Sequence, residues 1–394
     1  MTNLEKRIKR HVIGRTQDFF AATTPGLEQL CLEELLQLPF TREDASVVPG
    51  GVEFRGPLHD CYAANLKLRL ANRILMRISN FNATNFRKLQ KKIAEIPWEL
   101  YLLPDCALKI NVSSSHSRLY HKRAISEHVQ KEIQDHLHQF AARSEGMPVL
   151  TPSREQQLFI RIVNDHIMVS LDSCGVLLYK RGLKNQGAVA PLRESIAAAV
   201  LRLAHFTEKE PLIDPMCGSG TFSLEAAMIV KNIPPGWFRE FAFMDWPAFR
   251  PKRWAYIKDQ CEREFADVTT PRIFAFDVDE KSCESLQNRV EHYGLSPVIQ
   301  VGCNDFFHIS PADFTDQRGL VVLNPPYGIR VGDQKTIEQL FDKICDKLKN
   351  TYTGWKFALI VPERRLLKKV PFKTVKQHPL YHGGLNLTLL TGSI

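Results

Sequence analysis

Apolar and polar positions alternate in two different ways along the chain. From about residue 183 onward, short runs that are almost entirely apolar alternate with longer segments whose apolar residues recur every three or four positions. This pattern predicts strands at 212–213, 273–276, 298–301, 319–323 and 356–361, and helices at 190–203, 221–230, 281–293 and 336–348. Strands with so few polar positions are typical of a mostly parallel sheet covered by helices on both faces, so an α/β domain is predicted.

The first half has shorter elements of mixed type. The pattern predicts strands at 19–23, 52–54 and 107–112, and helices at 27–35, 58–77, 87–96 and 124–140. Two further runs, 157–163 and 167–171, flank Asn164 and Asp165 and predict a β-hairpin. The first half is therefore predicted to be of the α+β type.

Length and composition narrow the protein class. A chain of 394 residues is long enough for two or three domains. We expect no membrane span, because no apolar run reaches about 18 residues, and no secretion signal, so we expect a cytoplasmic protein. The nine cysteines show no C-x-x-C pair, and His136 and His138 have no third ligand nearby. Neither a disulfide framework nor a metal site is expected.

Positive charge is concentrated in one part of the chain. Residues 61–150 contain fourteen Lys or Arg and seven Asp or Glu, which accounts for most of the net charge of +9. Such a patch attracts a nucleic-acid backbone, although a solvated basic face is the alternative interpretation. The cations that we expect to contact a nucleic-acid backbone are Lys91, Lys92, Arg118, Lys122 and Arg123.

The most specific motif is Asn324, Pro325, Pro326 and Tyr327, which directly follows an apolar run. The two prolines stiffen the loop and leave carbonyl oxygens without neighbouring N–H donors. An asparagine oxygen beside such a carbonyl can accept both hydrogens of an exocyclic amine, and Tyr327 offers a face for stacking a base. These four residues are the predicted catalytic group, and Asn324 is also expected to border a nucleotide cofactor bound at the same sheet edge.

A second motif joins the predicted strand 212–213 to the helix that begins at residue 221. Glycines in this turn allow a ligand to approach the backbone at the carboxyl edge of the sheet, where open α/β folds bind nucleotides. The dinucleotide pattern G-x-G-x-x-G is incomplete, because neither Ser223, at its last position, nor the next residue, Leu224, is a glycine, and this disfavours an NAD enzyme. The residues expected to bind the cofactor here are Asp214, Pro215, Cys217, Gly218, Ser219, Gly220 and Thr221.

Two later strand ends carry further acidic residues. Asp277 is placed to accept hydrogen bonds from ribose hydroxyls, with Val278 beside it, whereas Asp279 is expected to cap the following helix. Asp305 is expected to accept from an adenine amino group while Phe306 stacks on the ring. About 40 residues, 231–271, separate the first two strand units, and their aromatic residues predict a small core or, alternatively, a substrate wall.

Together these motifs resemble the bacterial THUMP-domain guanine-N2 RNA methyltransferases, which are class I enzymes dependent on S-adenosylmethionine. Residues 178–182, 190–195, 214–221, 232–236 and 324–328 carry the resemblance, and 22–28 and 73–86 extend it to the front of the chain. It implies a ferredoxin-like segment at 1–60, a THUMP RNA-binding domain at 61–172 and a Rossmann-like seven-stranded methyltransferase domain at 173–394. It also implies S-adenosylmethionine as cofactor and RNA as partner, ribosomal RNA rather than transfer RNA.

Other functions remain open from the residues alone. Asn-Pro-Pro-Tyr serves any exocyclic amine, so an adenine-N6 methyltransferase of nucleic acid is a rival, and a transfer-RNA guanine-N2 enzyme is another. A non-catalytic RNA-binding assembly factor is disfavoured by the intact motifs at Asp214 and Asn324. Residues 281–284, Lys-Ser-Cys-Glu, depart from the proline and small apolar residues expected after the acidic pair.

Overall fold

The computed structural model describes residues 2–38, 44–143, 154–183, 192–326, 334–362, 364–372 and 375–394. Contacts between Cα atoms divide the chain into two compact units. The first contains residues 1–23, 28–178 and 239–259, and the second contains 24–27, 179–238 and 260–394. Residues 239–259, which form part of the 231–271 segment, therefore belong to the first unit.

The first unit is built on a seven-stranded sheet with the order β2-β3-β1-β4-β7-β6-β5. Its strands are β1 (Gln17–Thr23), β2 (Ser46–Val48), β3 (Gly51–Gly56), β4 (Ala71–Asn82), β5 (Leu108–Ser115), β6 (Gln156–Val163) and β7 (His166–Asp172). Its helices are α1 (Asn3–Ile8), α2 (Glu28–Leu35), α3 (Leu58–Lys67), α4 (Phe86–Ala94) and α5 (Lys122–Arg143). Asn164 and Asp165 both have positive φ, 52° and 60°, as a tight β6–β7 hairpin requires, which confirms the predicted turn.

The predicted helix over 58–77 is wrong in its second half. The helix ends at Lys67, and residues from Ala71 to Asn82 form β4, in the middle of the sheet between β1 and β7. The run Ile74, Leu75 and Met76 is buried on both sides, so it lacks the alternation of a half-exposed strand and is hard to distinguish from a buried helix. Pairing with two neighbouring strands decided its conformation.

Aromatic residues from the 239–259 segment complete the core of the first unit. Phe241, Phe243 and Trp246 are nearly inaccessible to solvent. The Phe243 ring stacks on Tyr62 at 4.5 Å between centroids, and Trp246 donates from Nε1 to Gln156 at 3.0 Å. These three aromatic residues are therefore core residues, in agreement with the first of the two interpretations.

The second unit has a seven-stranded sheet with the order β10-β9-β8-β11-β12-β14-β13. Its strands are β8 (Leu212–Asp214), β9 (Ile273–Asp277), β10 (Ile299–Cys303), β11 (Leu320–Leu323), β12 (Lys356–Val361), β13 (Val375–His382) and β14 (Leu385–Ser393). The remaining helices are α6 (Glu194–Leu203), α7 (Thr221–Val230), α8 (Pro251–Arg263), α9 (Glu280–His292) and α10 (Gln334–Thr351), and α8 crosses the division at residue 259. The strands β8 to β12 are parallel, which confirms the predicted α/β class.

The last two strands were not among the predicted elements. β14 runs antiparallel between β12 and β13, and Gly383 and Gly384, both with positive φ, form the turn. Two adjacent glycines flanked by apolar runs are a hairpin signal that sequence reasoning overlooked. This hairpin completes the sheet.

Candidate active site

Three polar residues meet at one edge of the second sheet because their strands are neighbours. Asp277 ends β9, Asp214 ends β8, and Asn324 follows β11 directly, in the order β9-β8-β11. All three strands are parallel, so their carboxyl ends lie at the same edge. Adjacent strands are about 4.8 Å apart, which puts Asp277 and Asn324 roughly 10 Å apart across the sheet. The spacing leaves room for a nucleoside-sized ligand along this edge.

The loop after β8 is held in place by backbone hydrogen bonds. The Cys217 N–H donates to the Phe276 carbonyl of β9 at 2.9 Å, and the Gly220 N–H donates to Cys217 at 2.7 Å. Thr221 begins α7 and donates from Oγ1 to Leu192 at 3.4 Å, while Ser219 accepts at its carbonyl oxygen from Arg289 at 3.1 Å. The loop therefore presents a rigid surface at the start of α7.

The two glycines of this loop have different roles. Gly218 has φ +49°, and a Cβ added there would meet nothing within 4 Å. Gly220 has φ +66°, and a Cβ there would lie 2.4 Å from Cδ1 of Leu286. Close ligand approach was expected at both glycines. The open space lies over Gly218 alone, whereas Gly220 permits close packing of α9 against the loop.

Asp214 is a buried carboxylate with an unused acceptor. Its side chain is 1% exposed, and Oδ2 accepts from Ser223 Oγ at 2.7 Å. Oδ1 is buried and has no hydrogen-bond partner in the part of the chain that the structure describes. Burial, with a smaller contribution from the charge of Asp277, raises the pKa of Asp214 to about 7. A cationic ligand group at Oδ1 would lower the free energy of the ionised form.

Asp277 connects the loop to the next strand end. Its Oδ2 accepts from the Gly218 N–H at 2.8 Å and its Oδ1 from the Asp279 N–H at 3.0 Å. A carboxylate has about four lone-pair directions, so acceptor capacity remains for a ligand hydroxyl. Val278 beside it is 71% exposed, which is unusual for a large apolar side chain and provides an apolar surface.

Asp279 caps α9, as predicted. It accepts from the N–H of Ser282 at 3.1 Å and from its hydroxyl at 2.6 Å. Cys283, within the unexpected Lys-Ser-Cys-Glu run, is buried and directs its thiol toward the carbonyls of Asp277 and Gly302. The departure from the family pattern therefore leaves the strand end and the helix cap intact.

The strand end at β10 differs from the expected arrangement for Phe306. Asp305 is partly exposed, accepts from the Phe307 N–H at 3.0 Å and pairs with His308 at 3.2 Å. The Phe306 ring is 1% exposed and lies in the hydrophobic core near Tyr352. Its faces are covered by protein, so stacking of this ring on a ligand, as expected from the sequence, does not fit its position. Asp305 keeps an accessible carboxylate.

The Asn-Pro-Pro motif projects from the sheet beside the glycine loop. Val321 of β11 pairs with Ile213 of β8, so Asn324 extends about two residues farther along the edge than Asp214. Asn324 and Pro326 are exposed, and Pro325 is buried. Tyr327 lies outside the described residues.

The five predicted RNA contacts fall into two groups in the first unit. Phe86 packs on His128, and Gln90 donates from Nε2 to Glu132 at 3.0 Å. Both contacts advance by four residues on each helix, which shows that α4 and α5 run side by side in the same direction. In this register Lys91 and Lys92 lie roughly 16 Å along the helix pair from Lys122 and Arg123. Arg118 and Arg123 are 75% and 93% exposed and contact Asp165 and Glu127 through exposed pairs, which are weak and leave the cations available.

The described residues contain neither a metal-binding cluster nor a membrane-spanning helix. Within the described ranges, no group of three or more His, Cys, Asp or Glu side chains is arranged to hold a metal ion. None of the described helices is both long enough and apolar enough to cross a bilayer.

Family models match most of the chain. Residues 18–75 match the RlmL ferredoxin-like domain, residues 83–172 the THUMP domain, and residues 181–391 the RMKL-like methyltransferase domain. The strand ends described above all lie within the third match.

Individual relatives agree with these matches. The chain is 31% identical to a Synechocystis protein named "Putative RNA methyltransferase slr0064", over 95% of this chain and 96% of that one. It is also 31% identical to the ribosomal RNA large subunit methyltransferase K/L of Methylococcus capsulatus, of which it spans about half, 51%. The crystal structure of SMU.472 in complex with SAH superposes with a TM-score of 0.84, at 28% identity over 96% of this chain and 98% of that chain. The chain therefore belongs to the RMKL-like methyltransferases that carry ferredoxin-like and THUMP domains.

Proposed function

We propose that this protein transfers a methyl group from S-adenosylmethionine to the exocyclic N2 amine of a guanine in large-subunit ribosomal RNA. The observation that carries the proposal is the row of Asp277, Asp214 and Asn324 along one sheet edge, with the open backbone of Gly218 between them. The K/L relatives, named as large-subunit ribosomal RNA methyltransferases, support this substrate.

The residues present fit S-adenosylmethionine. We propose that the unpartnered Oδ1 of Asp214 faces the cationic amino group, that Asp277 accepts from the ribose, and that Val278 covers the base. Asp305 is proposed to accept from the adenine amino group. Pro215, Cys217, Ser219 and Thr221 are proposed to shape the loop around Gly218; burial strongly raises the pKa of the Cys217 thiol, which stays protonated.

The chemical step is proposed to rest on positioning. When bound, the cofactor supplies an electrophilic methyl group. The Asn324 oxygen and a neighbouring proline carbonyl accept the two hydrogens of the guanine amine and fix the direction of its lone pair. The amine becomes strongly acidic once it is methylated and positively charged, so its proton can leave afterwards, and Tyr327 is proposed to stack on the base. The step therefore needs no general base of pKa near 7 in the Asn-Pro-Pro-Tyr motif.

RNA docking is proposed to involve the first unit. Arg118, Lys122, Arg123, Lys91 and Lys92 would contact phosphates and contribute little base specificity. The proposed location is the cytoplasm.

The experiment is methylation of ribosomal and transfer RNA from a strain that lacks the gene, with labelled S-adenosylmethionine and nucleoside analysis. We expect N2-methylguanosine in large-subunit RNA. Label in N6-methyladenosine would instead support an adenine-N6 methyltransferase, and label in transfer RNA alone would support a transfer-RNA guanine-N2 enzyme.

The variant Asn324→Ala tests the catalytic assignment. We expect single-turnover methylation to fall by about 100-fold or more, because a positioned polar group is lost in the transition state, while cofactor affinity changes little. Tyr327→Phe should retain most activity and Tyr327→Ala should not. Wild-type rates in Asn324→Ala would contradict the mechanism.

A further inference from the structure

The β13–β14 hairpin extends beyond the carboxyl edge of the sheet, beside the Asn-Pro-Pro motif. Leu323 pairs with Leu359 and Leu359 pairs with Leu390, so Asn324 is level with Leu389. Leu385, the first residue of β14, lies four residues beyond that level, or about 13 Å outward, and two strand spacings of about 10 Å to the side. The hairpin tip, defined here as Tyr381 to Asn386, therefore forms a wall beside the site.

The surface of this wall is apolar and open. Tyr381 is 47% exposed and Leu385 is 41% exposed. Added Cβ atoms at Gly383 and Gly384 would meet nothing within 4 Å. Among the described residues of the second unit, the exposed large hydrophobic side chains are Val278, Tyr381 and Leu385, and all three lie at the carboxyl edge of the sheet. Tyr381 and Leu385 lie together on the adjacent strands β13 and β14, whereas Val278 follows β9, five strand spacings from β13.

Arg193 adjoins the glycine loop, and its charge acts on His382 of the hairpin tip. Arg193 follows Leu192, whose carbonyl accepts from Thr221, the first residue of α7. Its guanidinium packs over the Tyr179 ring at 5.3 Å. Burial lowers the pKa of His382 in the hairpin tip, and the positive charge of Arg193 lowers it further.

The surroundings of this cation favour a phosphate. Among the described residues, the Arg193 guanidinium contacts the Tyr179 ring and forms no ion pair with a carboxylate. Residues 364–394, which include the hairpin, contain six Lys or Arg and no Asp or Glu. A polyanion approaching the hairpin tip would therefore meet no carboxylate side chain from this segment.

We propose that Arg193 and the hairpin tip bind the RNA nucleotides next to the target guanine, with the guanidinium on a backbone phosphate and the Tyr381 ring against a neighbouring base. This inference rests on the proposed function and adds a substrate-binding surface to it. A wall about 13 Å high accommodates about four stacked bases at 3.4 Å each. Aromatic faces and arginine are the groups with which proteins hold single-stranded RNA.

The test uses the full chain with matched pairs of variants. Tyr381→Ala removes the ring and Tyr381→Phe keeps it, while Arg193→Gln removes the charge and Arg193→Lys keeps it. Lys376→Gln is the control for charge loss, because Lys376 is an exposed residue six positions from His382 at the other end of β13. For each variant we would measure single-turnover methylation against RNA concentration, RNA binding by fluorescence anisotropy at several salt concentrations, and cofactor affinity by calorimetry.

We expect Tyr381→Ala to raise the RNA concentration for half-maximal rate by about tenfold or more, with Tyr381→Phe within about twofold of wild type. Arg193→Gln should weaken RNA binding and reduce its salt slope by about 0.7, the value for one phosphate of a single strand, while Arg193→Lys keeps the slope. Cofactor affinity should be unchanged in all of them, and Lys376→Gln should behave as wild type.

Two negative results are distinguishable. If the wild-type protein methylates RNA but Tyr381→Ala and Arg193→Gln keep its half-saturation and salt slope, this inference is overturned and the proposed function stands. If the wild-type protein methylates no RNA, the proposed function fails and this inference with it. If Arg193→Gln does not fold, Tyr381→Ala against Tyr381→Phe decides the question.

Discussion

Alanine substitution at Gly218 and at Gly220 should separate ligand approach from packing. Both glycines have left-handed φ values, so either substitution should lower the free energy of unfolding by about 1–2 kcal/mol through backbone strain. At Gly220 the new Cβ would also lie 2.4 Å from Leu286 Cδ1, and Leu286 is fully buried. Overpacking of this kind costs about 1–3 kcal/mol more, which gives a total of about 2–5 kcal/mol for Gly220→Ala.

Urea unfolding and calorimetric titration with S-adenosylmethionine would measure the two effects. Gly218→Ala should bind S-adenosylmethionine several-fold more weakly, because its methyl group enters the open space above the loop. Its free energy of unfolding should fall only by the cost of the backbone strain. Gly220→Ala should lose mainly stability, and Leu286→Ala in that background should cost less than it does alone, with a coupling of about 1–3 kcal/mol. Equal stability losses for the two glycine variants, or no coupling between Gly220 and Leu286, would refute this reasoning.

Three further predictions concern other parts of the molecule. Burial raises the pKa of Asp214 from 3.8 to about 7, so as pH rises toward 7 the unfolded state releases this proton while the folded state keeps it, and the cofactor-free protein loses stability. Asp214→Asn should therefore gain roughly 2–3 kcal/mol over wild type between pH 5 and pH 7 in urea unfolding while binding the cofactor more weakly, and a constant difference would contradict it. Neutralising Arg118, Lys122 and Arg123 together should flatten the salt slope of RNA binding without changing cofactor affinity; an unaltered slope would indicate a solvated basic face. Phe243→Ala should lower the free energy of unfolding by about 3–5 kcal/mol, and the exposed control Tyr256→Ala should change it by less than about 0.5 kcal/mol.

The sequence by itself determined the class of the second unit and the location of its chemistry. Leu320–Leu323 is apolar at every position and is followed directly by the Asn-Pro-Pro-Tyr motif, so the type of the strand and the role of the loop could be predicted together. The cap at Asp279 and the hairpin turn at Asn164 were also predictable, because both depend on interactions within a few residues.

Only the tertiary structure decided the features that depend on distant neighbours. Residues 71–82 form a strand because β1 and β7 pair with them, against a local pattern that also suits a helix. Phe306 is buried against Tyr352, and Gly220 is required by Leu286, although sequence position suggested ligand contacts for both. The hairpin tip lies beside Asn324 because β14 enters the sheet antiparallel next to β12. Burial and close packing depend on contacts between residues far apart in the chain, which local periodicity does not encode.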